Sequence, residues 1–147
     1  MDAARVAELE RRLGHRVRNP ALLERALTHA SYAHEHPPAA DHGALAFLGD
    51  AALGLAVAEH LVAASPDAAA GQLTPARAEL VSGERLARWA AALELGPLLR
   101  LGRGEEATGG RARESILAET LEALLGAVYL EAGLDAVRGI VARLAAW

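Results

Sequence analysis

Residues 115–130 read Ser-Ile-Leu-Ala-Glu-Thr-Leu-Glu-Ala-Leu-Leu-Gly-Ala-Val-Tyr-Leu, an apolar run interrupted by two carboxylates, Glu119 and Glu122. Alanine and leucine favour helix, and a run this apolar predicts a helix that is buried on most sides. Carboxylates are rarely buried without a partner. Because residues three apart lie on one face of a helix, we expect both acids to enter the same environment.

A second apolar run, 45–53, carries another lone carboxylate, Asp50. One interpretation is structural: Asp50 accepts a hydrogen bond from a neighbouring helix end or pairs with an arginine. The other interpretation takes the three acids together, since Asp50, Glu119 and Glu122 would repel one another on converging unless a cation neutralised them. Oxygen ligands favour hard ions, so this second interpretation predicts a site for Mg²⁺, with Mn²⁺ as the alternative.

The composition predicts an all-α protein. Of the 147 residues, 52% are apolar and only 3% are aromatic. The apolar residues are mostly alanine and leucine, which form helices, and few are the β-branched or aromatic types that favour strands. The length suits one domain, 1–147, with a substantial core. The sequence has no cysteine, which excludes disulfides and thiolate metal ligands.

Charge and hydropathy limit the partners. The formal net charge is -4, so any binding to nucleic acid needs a local basic patch. We recognise no apolar run long enough to span a membrane and no signal-peptide core near the N-terminus. We therefore expect a cytoplasmic protein that does not bind membranes.

Caps, prolines and glycines divide the chain into helices and loops. The proline pair at 37–38 predicts a loop, and the glycine-rich stretch 102–110 predicts another. The predicted helices are 2–14, 19–27, 43–64, one bent helix or two from Thr74-Pro75 to about residue 95, 113–132, and a last helix capped by Asp135.

Several blocks of the sequence resemble the nuclease domain of the ribonuclease III family, and they keep its order and spacing from about residue 10 to the end. The resemblance implies an all-α domain of about seven to nine helices that forms a homodimer and cleaves double-stranded RNA with Mg²⁺. Family members usually append a small RNA-binding domain, which would begin about where this chain stops. The blocks are Thr28–Ser31, Phe47–Asp50, Arg77–Val81, Leu98–Gly102 and Gly109–Leu124.

The resemblance also implies a ligand set. The family holds its metal with four carboxylates: Asp50 and Glu122 match two of them, and Glu119 stands where an aspartate is usual. The fourth position is Ala46, so one metal-binding glutamate is missing. We expect Asp50 and Glu122 to be the main catalytic residues, and the loss at Ala46 to weaken metal binding and activity.

Other positions in this region depart from the family. The family helix normally begins Asn-Glu-Arg-Leu-Glu, and here residues 42–46 read His-Gly-Ala-Leu-Ala. Gly43 therefore replaces an acid, and Ala70 stands where a further acid is expected. His42 lies one turn before Ala46 on the same face, so it is either a candidate for the site or an N-terminal cap or surface residue. His29 is interpreted as a buried, hydrogen-bonded packing residue.

Two surfaces are predicted to bind partners. Phe47 is either an apolar anchor of the dimer or an ordinary core residue. The basic patch for RNA phosphates lies in and beside the glycine-rich loop, where arginine suits bidentate contacts; the alternative is a solvated loop in which glutamates balance the arginines. The patch consists of Arg100, Arg103, Arg111 and Arg113.

The leading hypothesis is a Mg²⁺-dependent endoribonuclease that cleaves double-stranded RNA during RNA processing. The alternative is an inactive module with the same fold that binds structured RNA or a ribonucleoprotein. A third possibility is a partner subunit that dimerises with an intact homologue and leaves cleavage to it.

Overall fold

The computed structural model describes residues 1–147 as nine α-helices and two short 3-10 turns, Gly96–Leu98 and Gly110–Ala112, with no strand. The all-α class and the number of helices are as the sequence predicted. The helices are α1 Ala3–Leu13, α2 Pro20–Ala26, α3 Ala30–Glu35, α4 Gly43–Ala64, α5 Ala70–Leu80, α6 Gly83–Ala92, α7 Arg103–Ala107, α8 Glu114–Ala132 and α9 Leu134–Ala145.

Helix α8 is the centre of the fold. Eleven of its residues are buried, from Ile116 to Val128, because α2, α4, α6 and α9 all pack against it. A helix surrounded in this way needs apolar side chains on nearly every face. This explains why the 115–130 run shows no polar stripe except at its two glutamates.

Helices α4 and α8 cross at backbone contact. A Cβ atom on Gly49 would lie 1.7 Å from the carbonyl oxygen of Glu122, and one on Gly126 would lie 2.1 Å from that of Leu45. Only glycine permits so close an approach. The crossing therefore holds Asp50, next to Gly49, beside Glu122.

The expectation that no apolar segment is long enough to span a membrane is wrong for helix α4. This helix has 22 residues, and its most apolar 18 have a mean hydropathy of 1.6, so by length and composition it could cross a membrane. A core helix passes the same test, and α4 packs against α5, α8 and α9.

The opposite side of α4 leaves Phe47 84% exposed, so the interpretation of Phe47 as a core residue is wrong.

Several boundaries are as predicted because their signals are local. The Asp2 carboxylate accepts from the backbone N–H groups of Ala4 and Arg5 and caps α1, which ends at Gly14 with φ +67°. Asn19 caps α2 in the same way, ahead of Pro20 at the first turn. The bounds of α4 agree with the prediction, and α8 starts one residue later than predicted.

Two helices were missed and two helix starts were predicted wrongly. Helix α3 was missed, and α7 lies inside the predicted loop 102–110 because Glu35 accepts from the backbone N–H of Arg103 at 2.7 Å and caps it from a distant part of the chain. Helix α5 begins at Ala70, where the Gln72 side chain accepts from the N–H of Ala69, and it contains Pro75. Helix α9 begins at Leu134, one residue before the predicted cap.

Candidate metal centre

The first half of the site is a carboxylate pair at the crossing of α4 and α8. Asp50 is exposed and Glu122 is half-buried. Burial raises the pKa of Glu122 to about 8, helped by its hydrogen bond to Asp50 and by the charges of Asp50 and Glu119. At neutral pH this environment favours the protonated form of the Glu122 carboxyl.

No guanidinium neutralises these acids. Asp50, Glu119 and Glu122 form no ion pair with arginine, and Asp50 accepts no backbone hydrogen bond. The structural interpretation of Asp50, a bond to a helix end or an arginine partner, is therefore wrong. Like charges this close are stable only with a shared proton or a bound cation.

The second half of the site pairs Glu119 with His42. The Glu119 side chain is 45% exposed, and its Oε2 lies 3.6 Å from Nε2 of His42, which is 1% exposed. Nδ1 of His42 donates to the carbonyl oxygen of Ala26 at 3.2 Å, while Nε2 has no hydrogen-bond partner. Burial lowers the pKa of His42, opposed in part by the charge of Glu119.

His42 is thus neither a surface residue nor a side-chain cap. It stands at the N-cap position of α4, but its ring makes no cap bond to that helix. Its ring N–H instead satisfies the last carbonyl of α2, and its backbone N–H donates to the carbonyl oxygen of Thr28 at 2.9 Å. One hydrogen bond therefore orients the imidazole ring, and the other holds the backbone of His42.

Ala46 lies between the two pairs. It occupies the same face of α4 as His42 and Asp50, at four-residue spacing, and it is buried with Ala123 and Ala127 of α8. The donors therefore form two neighbouring pairs, His42–Glu119 and Asp50–Glu122. No three His, Asp or Glu side chains stand close enough to form a ready-made metal site.

The comparisons with known proteins agree with this architecture. The sequence pattern of a family described as Ribonuclease-III-like matches residues 19–146. The chain belongs to this ribonuclease III-like family. It is 53% identical over 136 residues to the Ribonuclease 3 of Streptomyces coelicolor, covering 92% of this chain and 49% of that protein. The Ribonuclease 3 of Thermobifida fusca is 49% identical over 144 residues, covering 98% of this chain and 60% of that protein.

Solved nuclease domains of the family share the fold. A ribonuclease III nuclease domain from Campylobacter jejuni, whose flexible region is described as involved in dimer formation, superposes with a TM-score of 0.88 and 37% identity. The match covers 95% of this chain and 94% of that domain. The chain spans 49–60% of the length of the curated relatives described above, so it corresponds to their nuclease portion.

The other departures from the ribonuclease III pattern lie elsewhere. Ala70 opens α5 and lines a groove with Ala58 and Leu61, against the C-terminal half of α4 and away from the two pairs. A Cβ atom on Gly43 would meet only the carboxylate of Asp41, at 3.1 Å, and that carboxylate accepts from the Gly43 backbone N–H at 2.8 Å. Neither position therefore changes the donors at the crossing of α4 and α8.

The predicted RNA-binding arginines are each engaged by one glutamate. Arg111 also donates to the carbonyl oxygens of Gly96 and Leu99, which makes it a structural link, whereas the Arg103 side chain is 97% exposed. A glutamate balances the positive charge of each arginine. The patch therefore matches the alternative prediction, a solvated loop in which glutamates balance the arginines. The pairs are Arg100–Glu24, Arg103–Glu35, Arg111–Glu106 and Arg113–Glu105.

His29 has the structural role that the sequence predicted, although it is only half-buried. It caps α3, because its Nδ1 accepts from the backbone N–H of Ser31 at 3.1 Å and bonds the Ser31 hydroxyl at 2.8 Å. The hydroxyl in turn accepts from the N–H of Gly102. The His29 ring also packs edge to face against the ring of His42, with the centroids 5.8 Å apart. His29 therefore lies beside the His42–Glu119 pair.

Proposed function

We propose that this chain is the nuclease domain of an endoribonuclease that hydrolyses double-stranded RNA and depends on a divalent cation held by Asp50, Glu119 and Glu122. The observation that carries the proposal is the position of the Asp50 and Glu122 carboxylates at the close crossing of α4 and α8, where no arginine pairs with either. Two carboxylates forced together at a backbone crossing, with no basic partner, are a site whose missing charge a cation supplies. Membership of the ribonuclease III-like family supports the same conclusion.

The residues present fit a hard ion. Carboxylate oxygens are the ligands that Mg²⁺ prefers, and the ion usually keeps several waters. When bound, the ion would polarise a phosphodiester and lower the pKa of a water. Asp50 and Glu122 would hold it from two rigid helices, and Glu122 would give up its proton on binding. Ala46 supplies no oxygen, so we expect weaker Mg²⁺ affinity and lower activity than with a glutamate there.

A homodimer through the exposed side of α4 belongs to the proposal. Phe47 is 84% exposed, and a nearby cavity of about 520 Å³ is lined by Leu55, Tyr129 and Leu130, all partly exposed. Large exposed apolar groups beside an apolar cavity are typical of interfaces. A twofold arrangement would give one acid site for each strand of a duplex.

RNA binding by this chain alone is proposed to be weak. Double-stranded RNA is recognised through phosphates and 2′-hydroxyls, which requires local positive charge. Each of the four arginines is paired, so binding phosphate means exchanging a glutamate for it, and Arg103 is the most accessible. We propose that the protein acts in the cytoplasm, where it processes RNA, and we propose no membrane partner.

One observation favours a second candidate function, an inactive module that binds structured RNA or a ribonucleoprotein. Ala46 interrupts the donor set, and no three metal-ligating side chains converge. If this is correct, the protein retards double-stranded RNA in a gel and leaves it intact.

The deciding experiment incubates the protein with long double-stranded RNA in Mg²⁺ and, separately, in Mn²⁺. Glu122→Gln keeps the shape of the central ligand and removes its ability to ionise, and Glu114→Gln is the matched control on the first, exposed turn of the same helix. Metal-dependent cleavage that is lost only in Glu122→Gln supports the enzyme. Binding without cleavage in either metal supports the inactive module.

A further inference from the structure

We propose that His42 is a metal ligand through Nε2, acting with Glu119, and that this nitrogen makes the site prefer transition-metal ions such as Mn²⁺, Co²⁺ or Zn²⁺ over Mg²⁺. The inference rests on the proposed cation site at the crossing of α4 and α8. A nitrogen donor is added to a site of carboxylate oxygens. The expected preference for Mg²⁺ is thereby reversed in favour of transition-metal ions.

The tautomer of His42 is fixed by its surroundings. A carbonyl oxygen only accepts, so the Nδ1 bond to Ala26 requires the hydrogen on Nδ1. In the neutral ring Nε2 then carries a lone pair, which is the form of histidine that binds metals. A ligating histidine ordinarily donates its other ring N–H to a carbonyl or carboxylate in this way.

That lone pair is buried and unsatisfied. His42 is 1% exposed and Nε2 has no hydrogen-bond partner. Buried polar atoms without partners are rare, because each costs about 1–3 kcal/mol. The nearest charged atom is Oε2 of Glu119, which also offers lone pairs, so the two groups repel unless a positive ion lies between them.

The spacing suits a metal better than a proton. Nε2 and Oε2 are 3.6 Å apart, beyond the usual hydrogen-bond length. Two donors that each lie about 2.1 Å from one tetrahedral ion are themselves about 3.4 Å apart. A glutamate at position 119, longer by one methylene than the aspartate usual in the family, suits the reach towards His42.

A nitrogen ligand in place of a carboxylate oxygen predicts a preference for transition metals over Mg²⁺. Mg²⁺ takes oxygen ligands almost exclusively, whereas imidazole suits transition metals, whose affinities increase from Mn²⁺ through Co²⁺. Ala46 has removed an oxygen ligand one turn away, on the same face of α4 as His42. The nitrogen therefore replaces the lost carboxylate, at the expense of Mg²⁺.

A second pair of the same kind provides an internal comparison. Nε2 of His15 is also unpartnered, 3.6 Å from Oε1 of Glu131. Its side chain is 20% exposed, and Glu131 already accepts from the backbone N–H groups of Arg18 and Asn19. Glu131 is thus committed to the backbone, so His15 serves as the control.

The test titrates the whole chain with Co²⁺, followed by visible absorption, and with Mg²⁺, followed by calorimetry. His42→Asn keeps an N–H that can bond Ala26 and removes Nε2, and His15→Gln is the matched control. We expect His42→Asn to weaken Co²⁺ binding at least about tenfold and to leave Mg²⁺ binding within about twofold. His15→Gln should change neither.

A second readout needs no substitution. In the ¹⁵N spectrum of the wild-type histidine rings, Zn²⁺ should shift Nε2 of His42 and leave Nδ1 protonated. Unchanged Co²⁺ affinity in His42→Asn, loss of binding in His15→Gln, or an unshifted His42 ring would each overturn the proposal. Glu122→Gln distinguishes failure of the proposed acid site from failure of the His42 ligand. If Glu122→Gln leaves Co²⁺ and Mg²⁺ binding unchanged while His42→Asn still weakens Co²⁺ binding, the acid site is wrong and the His42 ligand is supported.

Discussion

The contact between α4 and α8 can be tested by adding one methyl group at Gly49. The new Cβ would lie 1.7 Å from the carbonyl oxygen of Glu122 and 2.8 Å from the backbone nitrogen of Gly126. An ordinary contact between these atoms needs about 3.4 Å, so the helices must separate by more than 1 Å. The clashing atoms belong to the backbone of a buried helix and cannot rotate away.

We expect Gly49→Ala to lower the free energy of unfolding by about 3 kcal/mol or more, the upper end of the usual cost of overpacking. In a domain of this size each kcal/mol lowers the melting temperature by about 2–4 °C, so the loss should be about 6–12 °C. The same separation should pull Asp50 from Glu122 and weaken metal binding.

Urea and thermal unfolding, both followed by circular dichroism, measure the effect. Gly139→Ala is the matched control, because Gly139 is exposed in the middle of α9 and a methyl group there meets nothing within 4 Å. That change should stabilise the protein by about 0.5–1 kcal/mol through helix propensity alone. A Gly49→Ala protein as stable as the wild type would refute the crossing geometry.

Three further predictions concern the site and the dimer. Because the pKa of Glu122 is about 8, the carboxyl is mostly protonated at pH 7 and must lose its proton to bind a cation, so affinity should rise as pH approaches 8. Calorimetry in buffers of different ionisation enthalpy should detect about one released proton, and a buffer-independent heat would contradict this. Without metal, Ala46→Glu should lower the free energy of unfolding by about 1–3 kcal/mol, because the larger side chain overpacks a buried position. Adding Mg²⁺ should raise the melting temperature of Ala46→Glu more than that of Ala46→Gln. Equal increases would show that position 46 does not face the ion. Phe47→Ser should shift sedimentation from dimer to monomer, whereas Val62→Ser, an exposed apolar change at the other end of α4, should not; a dimer that persists in Phe47→Ser would place the interface elsewhere.

Local signals made much of the fold predictable. Asp2, Gly14 and Asn19 act through their own backbone neighbours, so the bounds of α1 and the start of α2 follow from the sequence. The apolar runs that become α4 and α8 were also recognised, because burial on most sides leaves a composition that is visible without coordinates.

The missed elements depend on distant residues. Helix α7 begins where Glu35 caps Arg103, sixty-eight positions away, and no local pattern announces that bond. The same limit explains the arginine patch: Arg100 is paired with Glu24 across a separation of 76 residues. Charge counted along the sequence shows neither pairing.

The candidate site was predictable in its residues and less so in its geometry. Periodicity put Glu119 and Glu122 on one helix face, and the lone acids in two apolar runs suggested that Asp50 joins them, but the close contact of α4 and α8 at Gly49 was not predicted. His42 was recognised by position only. Its buried, unpartnered Nε2 depends on the carbonyl group of Ala26, which sequence spacing does not reveal.

The most direct test of the account is a crystal of the protein soaked in Mn²⁺ at pH 8, examined by anomalous scattering. We expect one strong peak at the crossing of α4 and α8, bonded to the carboxylates of Asp50, Glu119 and Glu122 and to Nε2 of His42. A crystal in which the carboxylates of Asp50 and Glu122 still share their hydrogen bond, with manganese absent or only on the surface, would contradict the cation site and the proposed nuclease.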